Sequence, residues 1–180
     1  MHRCGAPREV LTPRLRLRVF RPGDAPAYAR IRSDPEVMRH MPGGAARAAQ
    51  AAAEAPGLVA RFIALWDEVG YGPSYGPWAM EDRATGALLG HAGLRLLAEL
   101  GGETEVLYLL DRPAWGRGLA TEAAMAARDA GLGACGLGRL VGYTAPENIA
   151  SRRVLARIGM RAEPVPVQVF GLTAIRHVMP

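Results

Sequence analysis

The chain reads as a single α/β domain, and two observations predict it. Apolar runs with the period-2 pattern of strands alternate with stretches whose apolar residues recur at helical spacing. At the centre, the apolar run 106–110 leads through Trp115-Gly116-Arg117-Gly118 into a small-residue helical pattern over 119–130, which is a strand, a tight glycine turn and a helix start. With 180 residues and 49% hydrophobic content the chain can bury one sizeable core. The expected partition is a flexible tail over 1–9 and one domain over 10–180, with no internal repeat.

In order, Leu15, Leu17 and Val19 alternate with Arg14, Arg16 and Arg18, a first strand with one half-exposed arginine-rich face. Pro22-Gly23-Asp24 breaks it, and Asp24 is placed to cap a helix over 25–32. Asp34-Pro35 starts a short helix over 36–40. An alanine-rich helix over 45–54 is expected to end at Pro56-Gly57, and a second over 58–69 carries Phe62, Leu65, Trp66 and Val69, with Trp66 in the core. The glycine, proline and tyrosine stretch 70–77 is a loop, either a lid or a linker. Strands over 78–81 and 88–96 flank a hairpin turn at 82–86, and 103–110 is a third strand. After the glycine turn and its helix come a buried strand over 140–144, a helix to Ile158 closed by Gly159, and a closing hairpin over 165–170 and 173–178.

Composition excludes several classes. Net charge is +5, and every one of the 22 basic residues is arginine, scattered rather than clustered, so no nucleic-acid partner is expected. A modest positive field suits a polyanionic ligand. Cys4 and Cys135 are too few for a disulfide framework, and the four histidines show no ligand spacing, so no metal is expected. No apolar stretch reaches the roughly 18 residues of a membrane span, and residues 1–7 lack the apolar segment of a signal peptide. The cytoplasm is therefore the expected compartment.

The glycine turn carries the first chemistry. Free N–H groups and the positive dipole end at a helix N-terminus attract a diphosphate, and Gly116 and Gly118 let it approach the backbone. A Walker loop needs a lysine, and a dinucleotide fingerprint needs a third glycine; neither is present. The segment Trp115-Gly116-Arg117-Gly118-Leu119-Ala120 instead resembles the acyl-CoA turn of the GNAT superfamily of N-acetyltransferases, Gln/Arg-x-x-Gly-x-Gly/Ala. Trp115 in the first place and Thr121-Glu122-Ala123 after the turn resemble the branch that acetylates ribosomal-protein N-termini, the RimJ/RimL-like enzymes. The opening F-R-P-G-D-A and S-D-P-E-V-M-R-H-M resemble the same branch, whose first two helices wall the acceptor site.

A second motif follows about thirty residues later. Asn148 and Ser151 share one helix face while Val154, Leu155 and Ile158 mark the buried one. By themselves they read equally as a helix cap and a solvated serine. The pattern N-x-x-S-x-x-V-L-x-x-x-G-M, however, is similar to the family's second CoA motif. The resemblance implies that Asn148 contacts the pantetheine arm and Ser151 approaches the thioester sulfur. It implies cofactor contacts at Trp115, Gly116, Arg117, Gly118, Leu119, Ala120 and Thr121, and backbone pairing of pantetheine near Leu109 and Leu110.

Aminolysis of a thioester asks for a neutral amine, two reactants held together and a proton for the leaving thiolate, so positioning supplies much of the rate. Ser151 is the expected leaving-group acid. Glu105-Val106-Leu107-Tyr108-Leu109-Leu110 resembles the branch's E-x-G-Y-x-L strand, which makes Glu105 the expected base, with His91 on the neighbouring strand as rival. Leu107 stands where the pattern has glycine, Arg112 where it has proline and Met160 where it has phenylalanine. The implied fold is a mixed, mostly antiparallel sheet flanked by helices and splayed where the strand before the turn meets the next. The implied activity moves an acetyl group from acetyl-CoA to a primary amine, by a monomer or homodimer. A non-catalytic acyl-CoA sensor is the alternative.

Overall fold

A computed structural model describes residues 5–67 and 75–179. Its strands form one mixed sheet in the order β1-β2-β3-β4-β5-β6-β9-β7: β1 Glu9–Leu11, β2 Leu15–Arg18, β3 Pro77–Asp82, β4 Leu88–Leu97, β5 Glu103–Leu110, β6 Leu140–Thr144, β9 Leu172–Met179 and β7 Arg161–Ala162. The short β8, Val167–Val169, pairs with β9 as the closing hairpin. Every pairing is antiparallel except β5 with β6, which meet in parallel at the single position Glu105–Val141. Beyond it the two strands part, and the expected splay opens.

Helices cover both faces. On one side α4, Leu119–Asp129, and α5, Ile149–Arg157, pack over Leu15, Leu17, Trp78, Leu94 and Val106. On the other, α1, Ala25–Arg32, α2, Pro35–Met38, and α3, Ala48–Asp67, enclose Phe20, Tyr28, Phe62 and Leu109. Asp34 caps α2, accepting from the Glu36 N–H at 2.8 Å.

Four expectations are corrected. The break at Pro56 does not occur, and α3 runs through it as one helix. Ala51, Ala55, Val59, Phe62 and Trp66 are all buried at spacings of three and four, so the apolar stripe stays in phase across the proline. Burying the larger side chains contributes about 1.5–3 kcal/mol each, which outweighs the roughly 3 kcal/mol of an interior proline. Asp24 does not cap α1 with its side chain; its carboxylate instead accepts both Arg18 Nη1 and Nη2, at 2.8 and 2.9 Å. Arg18 is therefore buried rather than on an exposed face, with Nε 2.7 Å from Glu81. Finally, the expected tail is anchored where it is described: Trp78 Nε1 donates to the Pro7 carbonyl, Arg8 pairs with Asp67, and Glu9 begins β1. Residues 1–4, and positions 70–74 of the tyrosine-rich loop, lie outside the described residues.

Candidate active site

The glycine turn forms as its sequence requires. Gly116 and Gly118 hold φ of 73° and 76°, a left-handed conformation in which a side chain is strained whatever space surrounds it. Gly118 is the N-cap of α4 and no side chain caps that helix, which leaves its first-turn N–H groups facing outward. The turn is braced from behind. Arg14 Nη1 donates to the Arg117 carbonyl at 2.7 Å, while Glu122 accepts from Thr12 Oγ1, the Arg14 N–H and Arg14 Nε.

In front of the turn lies a cavity of about 460 Å³. Gly116, Gly118, Leu119, Ala120 and Thr121 line it at one end, Trp115 and Leu110 along one side, and Asn148, Ser151, Arg153 and Arg157 of the α5 segment along the other. Arg153 and Arg157, one helical turn apart, take part in no ion pair among the described residues. Arg117 is the exception among the expected cofactor residues. Its guanidinium turns away from the cavity toward Asp82, 3.7 Å distant.

The strand contacts are also sorted. The Leu109 carbonyl lies against Gly90 of β4, so tightly that a Cβ there would stand 1.9 Å from it. Backbone groups alternate edges along an antiparallel strand, so Tyr108 and Leu110 face the splay and Leu109 faces β4. The Leu110 carbonyl already accepts from Trp115 Nε1 at 2.9 Å. Leu109 thus lines the first cavity while its backbone groups turn toward β4.

Asn148 Oδ1 accepts the Ser151 N–H at 3.1 Å, which makes it the N-cap of α5 as well as a lining residue of the cavity. Ser151 Oγ meets the hydroxyl of Tyr108 at 2.7 Å, and the same hydroxyl donates to the Ser151 carbonyl at 3.0 Å. Tyr108 is the candidate that reading the sequence did not single out. It stood inside the quoted strand motif, but its pairing with a serine 43 positions away is tertiary. Burial holds its phenol well above the usual tyrosine range, so it stays protonated and able to donate.

A second cavity, of about 310 Å³, opens on the other side of the Tyr108–Ser151 pair. Glu105, Leu107, His91 and Arg95 line its floor, and the β8–β9 hairpin with Phe170 forms a wall. Leu107, which stands where the resembled pattern has glycine, lines this space. Glu105 is buried, and burial pushes its carboxyl up, opposed by Arg95, whose Nη2 lies 2.5 Å away and Nε 3.0 Å away. The expected base is therefore one half of an ion pair. His91 is buried with Nδ1 2.8 Å from the Tyr28 hydroxyl, and burial together with Arg32 and Arg95 lowers it to about 3. It is neutral and a weak base. Phe170 adopts φ of 52° beside Gly171, is half-exposed, and lies 5.0 Å under the Arg95 guanidinium. The two cavities share a lining of His40, Met41, Tyr108, Tyr143, Thr144, Ala145 and Ser151.

No helix among the described residues is long and apolar enough to cross a membrane. Over residues 14–161 the chain matches the model of the acetyltransferase (GNAT) domain. It is 33% identical over 158 residues to the uncharacterized protein YkkB of Bacillus subtilis, with 84% of each chain covered. The acetyltransferase of Agrobacterium tumefaciens superimposes with a TM-score of 0.76 at 27% identity, covering 96% of this chain and 94% of that one. RimJ of Mycobacterium smegmatis, in complex with CoA-disulfide, superimposes with a TM-score of 0.75 at 22% identity over 99% and 90% of the two chains. A braced glycine turn at a bare helix start, a splayed sheet and a family match spanning most of the sequence converge: the chain belongs to the GNAT acetyltransferase family, and it is an acetyl-CoA-dependent acyltransferase.

Proposed function

We propose that this protein acetylates a primary amine, on a protein N-terminus or a small molecule, by direct transfer between two ligands that meet at Tyr108 and Ser151. The observation that carries the reading is the junction itself. The glycine turn lines one cavity, side chains wall the other, and the hydroxyl pair of Tyr108 and Ser151 lines both. A thioester reaching the junction along the first cavity meets an amine arriving through the second.

In this reading Gly116, Gly118, Leu119, Ala120 and Thr121 hold the diphosphate on backbone N–H groups, with Trp115 and Asn148 along the arm. The unpaired Arg153 and Arg157 supply positive charge at the same cavity. The complex of M. smegmatis RimJ with CoA-disulfide supports this use of the groove. Ser151 and Tyr108 donate toward the sulfur as negative charge develops there, a contact that strengthens in the transition state. Glu105, paired with Arg95, fixes the electrostatics of the acceptor floor and keeps Arg95 over the Phe170 ring.

The test is CoA release from acetyl-CoA in the presence of a panel of peptides with free N-termini and small amines, with acetylation of the acceptor read by mass spectrometry. Release that depends on an added amine is the expected result. Tight acetyl-CoA binding without transfer to any member of the panel would overturn the reading in favour of a sensor.

A further inference from the structure

We infer that His40 accepts the proton of the acceptor amine, with Glu147 as the carboxylate that orients it; this rests on the amine acetylation proposed above. His40 follows α2 and lines both cavities at their junction, close to the Tyr108–Ser151 pair. Its Nε2 accepts from Arg39 Nε at 3.3 Å, which puts the lone pair on Nε2 and the ring proton on Nδ1. Nδ1 is buried, has no hydrogen-bond partner among the described residues, and stands 3.7 Å from Glu147 Oε1 on the loop before α5. An Nδ1–H facing a carboxylate fixes the ring's orientation and leaves Nε2 as the atom that can take a proton. The separation is a loose one, as such contacts often are before ligands bind.

The other ionisable groups at the junction are already committed. Glu105 is paired with Arg95, and His91 gives its Nδ1 to Tyr28. Tyr108 is engaged by Ser151, and Tyr143 donates to Glu103. Glu36 carries Arg39, whose half-exposed guanidinium occupies the His40 lone pair. An incoming ammonium thus replaces a cation already seated there.

The step balances as follows. The ammonium gives one proton to His40 Nε2, which later returns it to solvent. The freed lone pair forms the C–N bond with the thioester carbonyl carbon, and the C–S bonding pair stays with sulfur. Sulfur takes the second nitrogen proton through the hydroxyls of Ser151 and Tyr108.

Two measurements on the full chain test this. In nitrogen-15 NMR of histidine-labelled protein, His40, identified by its loss in His40→Gln, is expected as the Nδ1–H tautomer, with its Nδ1 resonance moved by Glu147→Gln. The Nε2–H tautomer would overturn the assignment. In the second, CoA release from acetyl-CoA is followed with ethylamine, which is protonated at neutral pH, and with methoxyamine, which is largely neutral. His40→Gln is expected to lose roughly 10²- to 10⁴-fold with ethylamine, the range of a general base, and little with methoxyamine. Glu147→Gln is expected to lose less, with the same selectivity for ethylamine. Equal losses with both amines would mean a structural role and overturn the proposal. Wild type inactive with every amine of the panel would instead sink amine acetylation itself, and this step with it.

Discussion

The two cavities that meet at Tyr108 are built by opposite means. The proposed cofactor side is made mostly of backbone: two left-handed glycines, the bare start of α4 and the edge of β5 that parts from β6. The acceptor side is made of side chains drawn from β4, β5, the β8–β9 hairpin and the segment after α2, tied in pairs such as Arg95–Glu105 and Tyr28–His91. A diphosphate is recognised by N–H groups that every residue carries, so that half of the site depends on conformation. An amine acceptor is recognised by shape and charge, so the other half depends on which side chains the fold brings together.

If conformation governs the first cavity, the largest effect belongs to Gly118→Val. A β-branched residue at φ of 76° is strained and crowds the approach of a phosphate, so acetyl-CoA affinity is expected to fall by two orders of magnitude or more. A melting-temperature shift with acetyl-CoA equal to that of wild type would refute the cradle. Next comes the junction. Tyr108→Phe is expected to lower kcat by roughly 10- to 1000-fold with little change in acetyl-CoA KM. Ser151→Ala is expected to lose less, because the tyrosine hydroxyl remains; steady-state kinetics with one accepted amine ranks the two.

The acceptor side should respond more gently. Glu105→Gln leaves acetyl-CoA affinity unchanged and lowers turnover by roughly tenfold, since Arg95 is partly exposed and can turn to solvent once its partner is neutral. A loss as deep as that of Tyr108→Phe would make Glu105 a reacting base and break the contrast. Behind this floor, Glu103 contributes to stability in acid. Burial raises its carboxyl, but hydrogen bonds from Arg176, Tyr143 and Arg139 outweigh that and hold it at about 2, against an ordinary value of 4.5. A folded pKa below the unfolded one means stabilisation that is full above pH 4.5 and is lost as pH falls toward 2. The acid limb of thermal stability is expected to flatten in Glu103→Gln. The smallest effect is at Phe170: Asn tolerates the left-handed region better, so Phe170→Asn should stabilise by about 0.5–1 kcal/mol while raising acceptor KM severalfold. A variant with unchanged KM would remove Phe170 from the acceptor wall.

The contrast also explains which parts were legible from the sequence. Strand β5 and the start of α4 were read at their observed limits, because a strand, two glycines and a helix start are set by neighbours in the chain. The cap at Asn148 and the left-handed Gly159 are local for the same reason. Readings failed where distant residues decided. Pro56 and Gly57 predicted a break, but the buried stripe from Ala51 to Trp66 overrode them. Arg18 looked half-exposed until Asp24 and Glu81 closed around it.

By itself, then, the sequence carried the resemblance to the family, and it determined the glycine turn and the helix start at Asn148, since those two rest on backbone preferences over a few residues. Only the tertiary structure decided the pairing of Tyr108 with Ser151, the engagement of Glu105 by Arg95 and the placing of His40 between two cavities. Those are contacts between side chains far apart in sequence, and no local preference specifies them. Arg95 and Glu105 meet because the β4–β5 register sets them opposite each other, while Tyr108 and Ser151 meet beside the point where β5 and β6 touch once and part.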